Sequence, residues 1–343
     1  MIKKFNPKHF SNARLITIAC FILVLALIGA HYIFNAKAAS PYVAIEAESG
    51  KLTSPATTVT NSAASGGSYV QFGTASTPPP PNGAPLLGLW INGAGSASQF
   101  GVTQQVLEDF ASPGGGTGTF TSYSVPSTSL RIMLAVGDLN SSEASSIGGA
   151  LVSSGHANTI FRVMVEQNQC EWNTSWNESK FSASQYVSAF QSVVTELRAV
   201  PNNQFTFIWN PNAGEGNNCN GETTAQTWPG AAYVNAIGVD VYDYGGYETN
   251  AQEIIDFATG HPESGWPQLS TPIPFAVPEW GLNGSDDTTF MNYMIGIIKA
   301  PANDTYVQSY FSCGPSQGCS SPNSDLTEFS NSEAAYKAGF AGE

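Results

Sequence analysis

Ile160-Phe161-Arg162-Val163-Met164-Val165-Glu166-Gln167-Asn168 is the clearest strand-like run in this chain. Apart from Arg162, its first six residues are apolar, which predicts a short buried strand. The run ends on the carboxylate of Glu166, and burying a carboxylate costs free energy unless the group is paired or used in chemistry. We therefore expect Glu166 to be a functional residue at the carboxyl end of a strand.

A second stretch repeats this pattern downstream. Pro272-Ile273-Pro274-Phe275-Ala276-Val277-Pro278 leads into Glu279-Trp280-Gly281, so a second buried strand also delivers a glutamate. In a parallel barrel, the carboxyl ends of strands that are distant in sequence converge on one face. Glu166 and Glu279 are therefore expected to face each other across a cleft, and a facing pair of carboxyl groups is what glycoside hydrolysis requires.

Strand-like runs recur after residue 84 with helical or loop segments between them. The clearest helix is predicted at residues 184–199, where apolar residues recur every three or four positions. Alternating strands and helices over about 260 residues predict an α/β fold, a (β/α)8 TIM barrel with a parallel sheet. The eight predicted strands are Leu86 to Ile91, Thr119 to Val125, Leu130 to Val136, Thr159 to Glu166, Gln204 to Asn210, Asn235 to Tyr242, Ile273 to Glu279 and Thr305 to Phe311.

The amino terminus predicts export. Basic residues come first, an apolar run covers residues 15–34, and Ala36-Lys37-Ala38 offers small residues for cleavage. Residues 1–38 are therefore expected to be a signal peptide or an uncleaved membrane anchor, because the apolar run is nearly long enough to span a bilayer. We expect an extracellular protein, either secreted or anchored to the cell membrane by residues 15–34.

Charge and cysteine usage agree with an exported protein. Without residues 1–38 the chain keeps seven basic and 26 acidic residues, a net charge of −19 that repels nucleic acid. The four cysteines beyond the leader favour disulfides, Cys170 with Cys219 and Cys313 with Cys319, over free thiols.

The four histidines have no metal-ligand spacing, so neither a metal nor another cofactor is expected. We expect a monomer that contacts a membrane only through its amino-terminal segment.

Residues 40–74 form a separate segment before the barrel. Glu46-Ala47-Glu48 and Ala64-Ser65-Gly66-Gly67-Ser68-Tyr69-Val70 resemble the opening strands of carbohydrate-binding modules of families 6 and 35. The segment is too short for a complete module of this kind, so a short β-rich remnant or spacer hairpin is favoured over a working module. Residues 75–83 are proline-rich and predict an extended linker, with the catalytic domain at residues 84–343.

The predicted strand ends are rich in amides and aromatic side chains. Amides hydrogen-bond to hydroxyl groups and flat aromatic rings stack on sugar rings, so this composition suits an oligosaccharide cleft. Asp240 is expected to be a scaffold group that accepts hydrogen bonds. The residues predicted to bind substrate are Trp90, Asn168, Trp172, Trp209, Asn210, Tyr242 and Trp280.

Five blocks in the same order resemble the motifs of clan A glycoside hydrolases and are most similar to family 26, the mannanase-type enzymes. The resemblance implies a retaining β-1,4-glycanase, with Glu166 as acid/base, Glu279 as nucleophile and Tyr242 near the nucleophile. One departure is Val165, where the family usually has histidine. The blocks are Phe161-Arg162-x-x-x-Glu166-x-Asn168 with Trp172 and Trp176, Phe207-Ile208-Trp209-Asn210-Pro211-Asn212, Trp228-Pro229-Gly230-x-x-Tyr233-Val234-Asn235, Ile237-Gly238-Val239-Asp240-Val241-Tyr242-Asp243 and Pro278-Glu279-Trp280-Gly281.

Two other functions remain open from the sequence. One is a catalytically inactive cell-surface protein for carbohydrate binding or adhesion, and the other is a β-glucanase of the same clan. A serine hydrolase is disfavoured, although Gly314-Pro315-Ser316-Gln317-Gly318 matches the nucleophile-elbow pattern, because no histidine follows it. We interpret that run as a loop closed by Cys313 and Cys319.

Overall fold

A computed structural model describes residues 56–60, 68–72, 84–91, 97–111, 123–168, 182–213, 221–319 and 321–342. The chain divides into two compact units, Met1–Thr74 and Ala75–Glu343. In the first unit, β1 (Ala56–Thr60) pairs antiparallel with β2 (Ser68–Phe72). The predicted leader, the residues around Glu46 and the proline-rich linker lie outside the described residues.

The second unit contains a closed barrel of parallel strands. The described strands follow the order β11-β3-β4-β5-β6-β7-β8-β10, and pairing of β10 with β11 closes the ring. The short strands β8 and β9 both pair with β10, so they are two segments of one barrel position. This confirms the predicted (β/α)8 barrel. The strands are β3 (Leu86–Ile91), β4 (Val106–Ala111), β5 (Arg131–Val136), β6 (Ile160–Val163), β7 (Thr206–Trp209), β8 (Ala236–Gly238), β9 (Val241–Tyr242), β10 (Phe275–Gly281) and β11 (Thr305–Ser312).

Helices occupy the connections between most of the later strands. The second of them begins at a capping box in which Ser182 and Gln185 bond each other's backbone N–H. It buries one face, with Phe190 and Leu197 fully inaccessible, as the spacing predicts. The described α-helices are α1 (Ser141–Ser153), α2 (Ala183–Arg198), α3 (Tyr247–Thr259), α4 (Thr288–Lys299) and α5 (Ser330–Phe340). Among the described residues, no helix is both long and apolar enough to cross a membrane.

The second barrel strand is not where the sequence predicted it. The prediction was Thr119 to Val125, but residues 123–125 are not in a strand and the position is taken by β4. The sequence of β4 is Val-Leu-Glu-Asp-Phe-Ala, and its two central acidic residues are more typical of a turn than of a buried strand. Glu108 is nevertheless 1% exposed and faces the barrel interior, where a partner from another strand compensates its charge.

The loop after β11 is closed by a disulfide between Cys313 and Cys319. Pro315–Gln317 forms a short 3-10 turn within this loop. This confirms the interpretation of residues 314–318 as a disulfide loop. The other predicted pair, Cys170 with Cys219, lies outside the described residues.

Candidate active site

The inward-facing side chains of the barrel strands lie in layers, because alternate residues of a strand point to the same face. One layer of inward-facing side chains is apolar. Two residues further along the strands, the next inward-facing layer is polar, with Glu108 on β4, Arg162 on β6, Asn210 after β7 and Ser309 on β11. This polar layer lies toward the carboxyl ends of the strands, where the active sites of such barrels are built. The apolar layer below it comprises Val106, Met133, Ile160, Ile208, Ala236, Ala276 and Val307.

Arg162 is the centre of the polar layer and is 0% exposed. Its Nε donates to Asn210 Oδ1 at 2.7 Å, and its Nη2 donates to Asp240 Oδ2 at 2.6 Å. Its Nη1 donates both to Glu279 Oε2, at 2.9 Å, and to Glu108 Oε1. Burial alone would lower the pKa of Arg162, but the three carboxylates raise it above its ordinary value. The guanidinium therefore stays charged and joins Arg162 on β6 to four side chains that come from other strands of the barrel or the residues beside them.

A β-bulge in β10 turns Glu279 into the barrel. Val277 pairs with Gln308 and Trp280 pairs with Tyr310, so two residues of β10 stand opposite the single residue Ser309. A bulge of this kind re-aims the side chain that follows it. The Glu279 side chain is 13% exposed, and its Oε1 accepts from the hydroxyl of Tyr242 at 2.6 Å. Glu279 is thus held between a buried cation and a phenol.

Glu166 lies beyond the end of β6 in a tight turn. Met164 and Glu166 both have positive φ, 47° and 53°, which is uncommon for residues other than glycine and costs free energy. Two backbone hydrogen bonds stabilise the turn: Met164 N donates to Val136 O at 2.7 Å, and Glu166 N donates to Asn210 O at 2.7 Å. The carboxylate accepts from Asn212 Nδ2 at 2.5 Å. Strained backbone held by many bonds is common at functional sites.

Glu166 and Glu279 act on the same buried groups. Burial raises the pKa of Tyr242 well above its ordinary value, and the charges of Glu279 and Glu166 raise it further. Burial likewise raises the pKa of Asp240; Arg162 opposes this shift, while Glu279 and Glu166 add to it. Because both glutamates influence the same tyrosine and the same aspartate, they share one electrostatic environment at the carboxyl end of the barrel.

An aromatic cluster forms the rim beside the polar layer. The ring of Trp90 on β3 stacks on the ring of Phe311 on β11 with centroids 4.3 Å apart and planes 4° apart. Phe110 on β4 meets both rings edge-on and is 37% exposed. Tyr242 contacts Phe311 edge-on with centroids 6.3 Å apart. We call Trp90, Phe110 and Phe311 the aromatic rim; it lies across the barrel from the strand that carries Glu166.

The two predicted amides lie at the site but are buried. Asn210, at 0% exposed, accepts from Arg162. Asn168, at 1% exposed, accepts from the backbone N–H of Asn212 at 2.8 Å and donates to the Asn212 carbonyl at 2.7 Å. Asn212 in turn donates to Glu166. The structure therefore places Asn210 beside Arg162 and Asn168 beside Asn212, and contact of either amide with substrate stays a prediction.

Two predicted tryptophans point away from the cleft. Trp209 and Trp280 are 0% exposed and belong to the core between strands and helices. Trp209 packs edge-on against Trp228 with centroids 5.3 Å apart, and Trp280 donates from Nε1 to Gln308 Oε1 at 2.7 Å. Each is adjacent in sequence to an inward-facing polar residue, so it points to the opposite face of the sheet. Trp172 lies outside the described residues.

Sequence reasoning missed four residues of the site: Glu108, Ser309, Phe110 and Phe311. The sequence of β4 did contain a strand pattern, because Val106, Glu108 and Phe110 are spaced two residues apart and so lie on one face of a strand. In the part of the chain that the structure describes, no group of three or more histidine, cysteine, aspartate or glutamate side chains could hold a metal ion. The carboxylates of Glu108, Asp240 and Glu279 pair with the guanidinium of Arg162.

Comparison with known families finds one match. Residues 103–260 match the model of glycosyl hydrolase family 26, and this range includes Glu108, Glu166 and Tyr242 but not Glu279. Together with the barrel, the match supports a glycoside hydrolase. It does not extend to residues 40–74, so the resemblance of that segment to a carbohydrate-binding module is not supported. No curated protein matches the chain significantly.

Solved structures share the barrel at low sequence identity. The catalytic domain of a family 26 endo-β-1,4-mannanase from Bacillus sp. JAMB-750 superposes with a TM-score of 0.51 at 16% identity, over 75% of this chain and 86% of that chain. A family 26 β-mannanase from Bacteroides ovatus gives a TM-score of 0.49 at 14% identity, over 76% and 88% of the two chains. The first of these superpositions supports the fold.

Proposed function

We propose, from the match of residues 103–260 to glycosyl hydrolase family 26, that this chain is a retaining glycoside hydrolase that cleaves β-1,4-linked polysaccharide. The observation that carries the proposal is the pair of glutamates at the strand ends. Glu279 is held by Arg162 and Tyr242, while Glu166 is held by Asn212. The two carboxyl groups have different partners, as two different chemical roles require.

Glu279 is proposed as the nucleophile. Both of its oxygens accept hydrogen bonds, one from a guanidinium and one from a phenol, and these two donors fix the carboxylate in position. In the first step a Glu279 oxygen forms a bond to the anomeric carbon as the glycosidic C–O bond breaks. The product is a covalent glycosyl ester, and Arg162 and Tyr242 fix the angle from which the carboxylate attacks.

Glu166 is proposed as the acid/base. In the first step it gives its proton to the departing glycosidic oxygen, and in the second step it takes a proton from the water that attacks the anomeric carbon and releases Glu279. Asn212 donates to Glu166 Oε1 and so orients the carboxyl group for this exchange with substrate. A retaining mechanism requires the carboxyl groups of Glu166 and Glu279 to stand roughly 5 to 5.5 Å apart.

The aromatic rim is proposed to hold the part of the glycan that becomes attached to Glu279. The leaving group must lie on the side of Glu166, on β6, so the retained sugars extend toward β3, β4 and β11. Trp90, Phe110 and Phe311 on those strands present apolar rings, which stack on the apolar faces of pyranose rings. A mannan-type substrate is favoured over β-glucan because the family match is to the mannanase-type family.

We also propose that the protein acts outside the cell, as a monomer, with residues 1–38 as signal peptide or anchor. Western blotting of culture medium and membrane fractions from the native host distinguishes the two. Signal in the medium identifies a cleaved leader, and signal confined to membranes identifies an anchor. Signal confined to the cytoplasm would contradict export.

The test of the function is release of reducing sugar from mannan, glucomannan, β-glucan, xylan and cellulose by the full chain. We expect hydrolysis of mannan-type substrates, and loss of at least about a thousandfold in kcat for Glu279→Ala and for Glu166→Gln, because each removes one chemical step. Glu263→Gln, an exposed glutamate, is the matched control and should keep full activity.

The fold of each variant is checked by its circular dichroism spectrum and melting temperature. Full activity in either active-site variant would remove that residue from its role. A folded wild-type protein that binds one of these glycans but cleaves none would favour the alternative of an inactive carbohydrate-binding protein.

A further inference from the structure

Glu108 is a buried carboxylate that the two-glutamate mechanism does not use. It is 1% exposed on β4, and its Oε2 accepts from Ser309 Oγ at 2.7 Å. Its Oε1 accepts from Arg162 Nη1. The neighbouring strand β3 carries no ionisable side chain, and β5 carries only Arg131 at its first residue, two positions before the residue that pairs with Glu108. The charged groups that face Glu108 therefore come from across the barrel.

One nitrogen atom connects Glu108 to the proposed nucleophile. Arg162 Nη1 has two N–H groups, and it donates to Glu108 and to Glu279 Oε2. Ser309, which donates to Glu108, is also the residue opposite the bulge that turns Glu279 inward. A change in the hydrogen bonding of Glu108 therefore acts on the same nitrogen that holds Glu279.

The charges around Arg162 do not balance if every carboxyl group is ionised. Glu108, Asp240 and Glu279 surround a single guanidinium, which would leave an excess of two negative charges in a buried site. Burial and the charge of Glu279 raise the pKa of Glu108 well above its ordinary value, although Arg162 and Ser309 act in the opposite direction. The other ionisable groups of the site are Asp240, Tyr242 and Glu166.

We propose that Glu108 is a positioning residue for the nucleophile: its protonation state decides how the charge of Arg162 Nη1 is divided between Glu108 and Glu279. This inference rests on the proposed function in one respect, the role of Glu279. Protonated Glu108 donates to Ser309 Oγ and leaves the guanidinium to Glu279 and Asp240. Ionised Glu108 competes for Nη1 and loosens its hold on Glu279.

The first test needs no substrate. The full chain is labelled with 13C at the glutamate side-chain carboxyl, and Glu108→Gln identifies the resonance of Glu108 by its disappearance. We expect this resonance to titrate at higher pH than exposed glutamates, which titrate near about 4.3. Ser309→Ala removes a donor to the ionised form, so it should move the midpoint up by roughly half to one pH unit. Titration of Glu108 together with the exposed glutamates, or no effect of Ser309→Ala, would overturn the inference.

The second test compares pH profiles of kcat on the substrate that the panel identifies. Glu108→Gln imitates the protonated form, so the ratio of its kcat to that of the wild type should rise by about tenfold as pH passes through the midpoint, with KM within about twofold. Ser309→Ala should move this change to higher pH, and it should have no effect on the profile in the Glu108→Gln background.

The outcomes separate the inference from the function. A ratio independent of pH in an active enzyme overturns the positioning role of Glu108, since a merely structural role would lower the melting temperature without a change in the profile. A wild-type protein that hydrolyses no glycan overturns the function, and the carboxyl titration then decides the state of Glu108 by itself. If Glu108→Gln does not fold, the Ser309→Ala profile alone decides.

Discussion

Glu279 and Glu166 have different hydrogen-bond donors, as their different proposed roles require. A guanidinium and a phenol donate to Glu279, and the amide of Asn212 donates to Glu166. The donors to Glu279 suit the fixed position that its proposed role as nucleophile requires, and Asn212 orients the proposed acid/base.

Tyr242→Phe tests how the phenol holds Glu279, the proposed nucleophile. Burial raises the pKa of Tyr242, so its hydroxyl stays protonated and remains a hydrogen-bond donor throughout the neutral pH range. Loss of that donor should lower kcat by roughly ten- to a hundredfold and leave KM within about twofold, because the bond acts on the nucleophile and not on substrate binding. Tyr244→Phe, a neighbour that is 40% exposed, is the control and should be close to wild type. An effect on KM alone would contradict this role.

The aromatic rim is proposed to bind the retained sugars, and Phe110 is its exposed member. Phe110→Ala should raise KM by about five- to tenfold with a small change in kcat, because a stacking ring contributes on the order of 1 kcal/mol to binding. The measurement is steady-state kinetics on the substrate found in the panel. An unchanged KM on long substrates would place the retained sugars elsewhere.

At the level of elements, α2 shows how the scaffold supports the site. Its buried face packs on the barrel, and the hydroxyl of Tyr186 donates to the carbonyl of Met164 at 3.2 Å, next to the strained turn that carries Glu166. The helix therefore supports the turn as well as covering the sheet.

Phe190→Ala should lower the free energy of unfolding by about 3 to 5 kcal/mol, because it leaves a cavity in a fully buried position. Ser192→Ala, exposed on the opposite face of the same helix, should change it by less than about 0.5 kcal/mol. Urea unfolding followed by circular dichroism measures both. Equal effects would contradict the packing described for α2.

The sequence predicted elements where local pattern and burial agree. β3, β5 to β7, β10, β11 and helix α2 all match predicted runs, because their apolar residues follow the expected period. β4 was missed because two acids interrupt its apolar pattern, and the charge that makes Glu108 tolerable lies 54 residues away on Arg162. Contacts across a barrel cannot be read from a local window.

The same limit applies to the site. Both glutamates were predicted because each follows an apolar run, whereas the direction of Trp209 and Trp280 depends on strand alternation and on the bulge in β10. Alternation with Asn210 would have placed Trp209 outside the barrel. The bulge leaves no clear local signal, since it is defined by the pairing of Val277 and Trp280 with another strand.

At the scale of the whole molecule, closure of the barrel depends on its last strand. β11 pairs with both β3 and β10, so it joins the two ends of the sheet. A chain of residues 75–299 should lose cooperative unfolding, because β3 and β10 are left with unpaired edges. Residues 75–343, which contain the whole second unit, should unfold cooperatively. Thermal unfolding by circular dichroism compares the two, and a cooperative transition in the shorter chain would contradict the role of β11.

Glu279 is proposed to form a covalent bond to the anomeric carbon of the sugar. The most direct measurement is mass spectrometry of the peptide containing Glu279 after incubation with 2-deoxy-2-fluoro-mannosyl or 2-deoxy-2-fluoro-glucosyl fluoride, which form the ester faster than they release it. We predict one added fluoro-sugar on Glu279 and none in the Glu279→Ala variant. Labelling of another carboxylate, or hydrolysis of polysaccharide with inversion at the anomeric carbon and no labelling, would contradict the account.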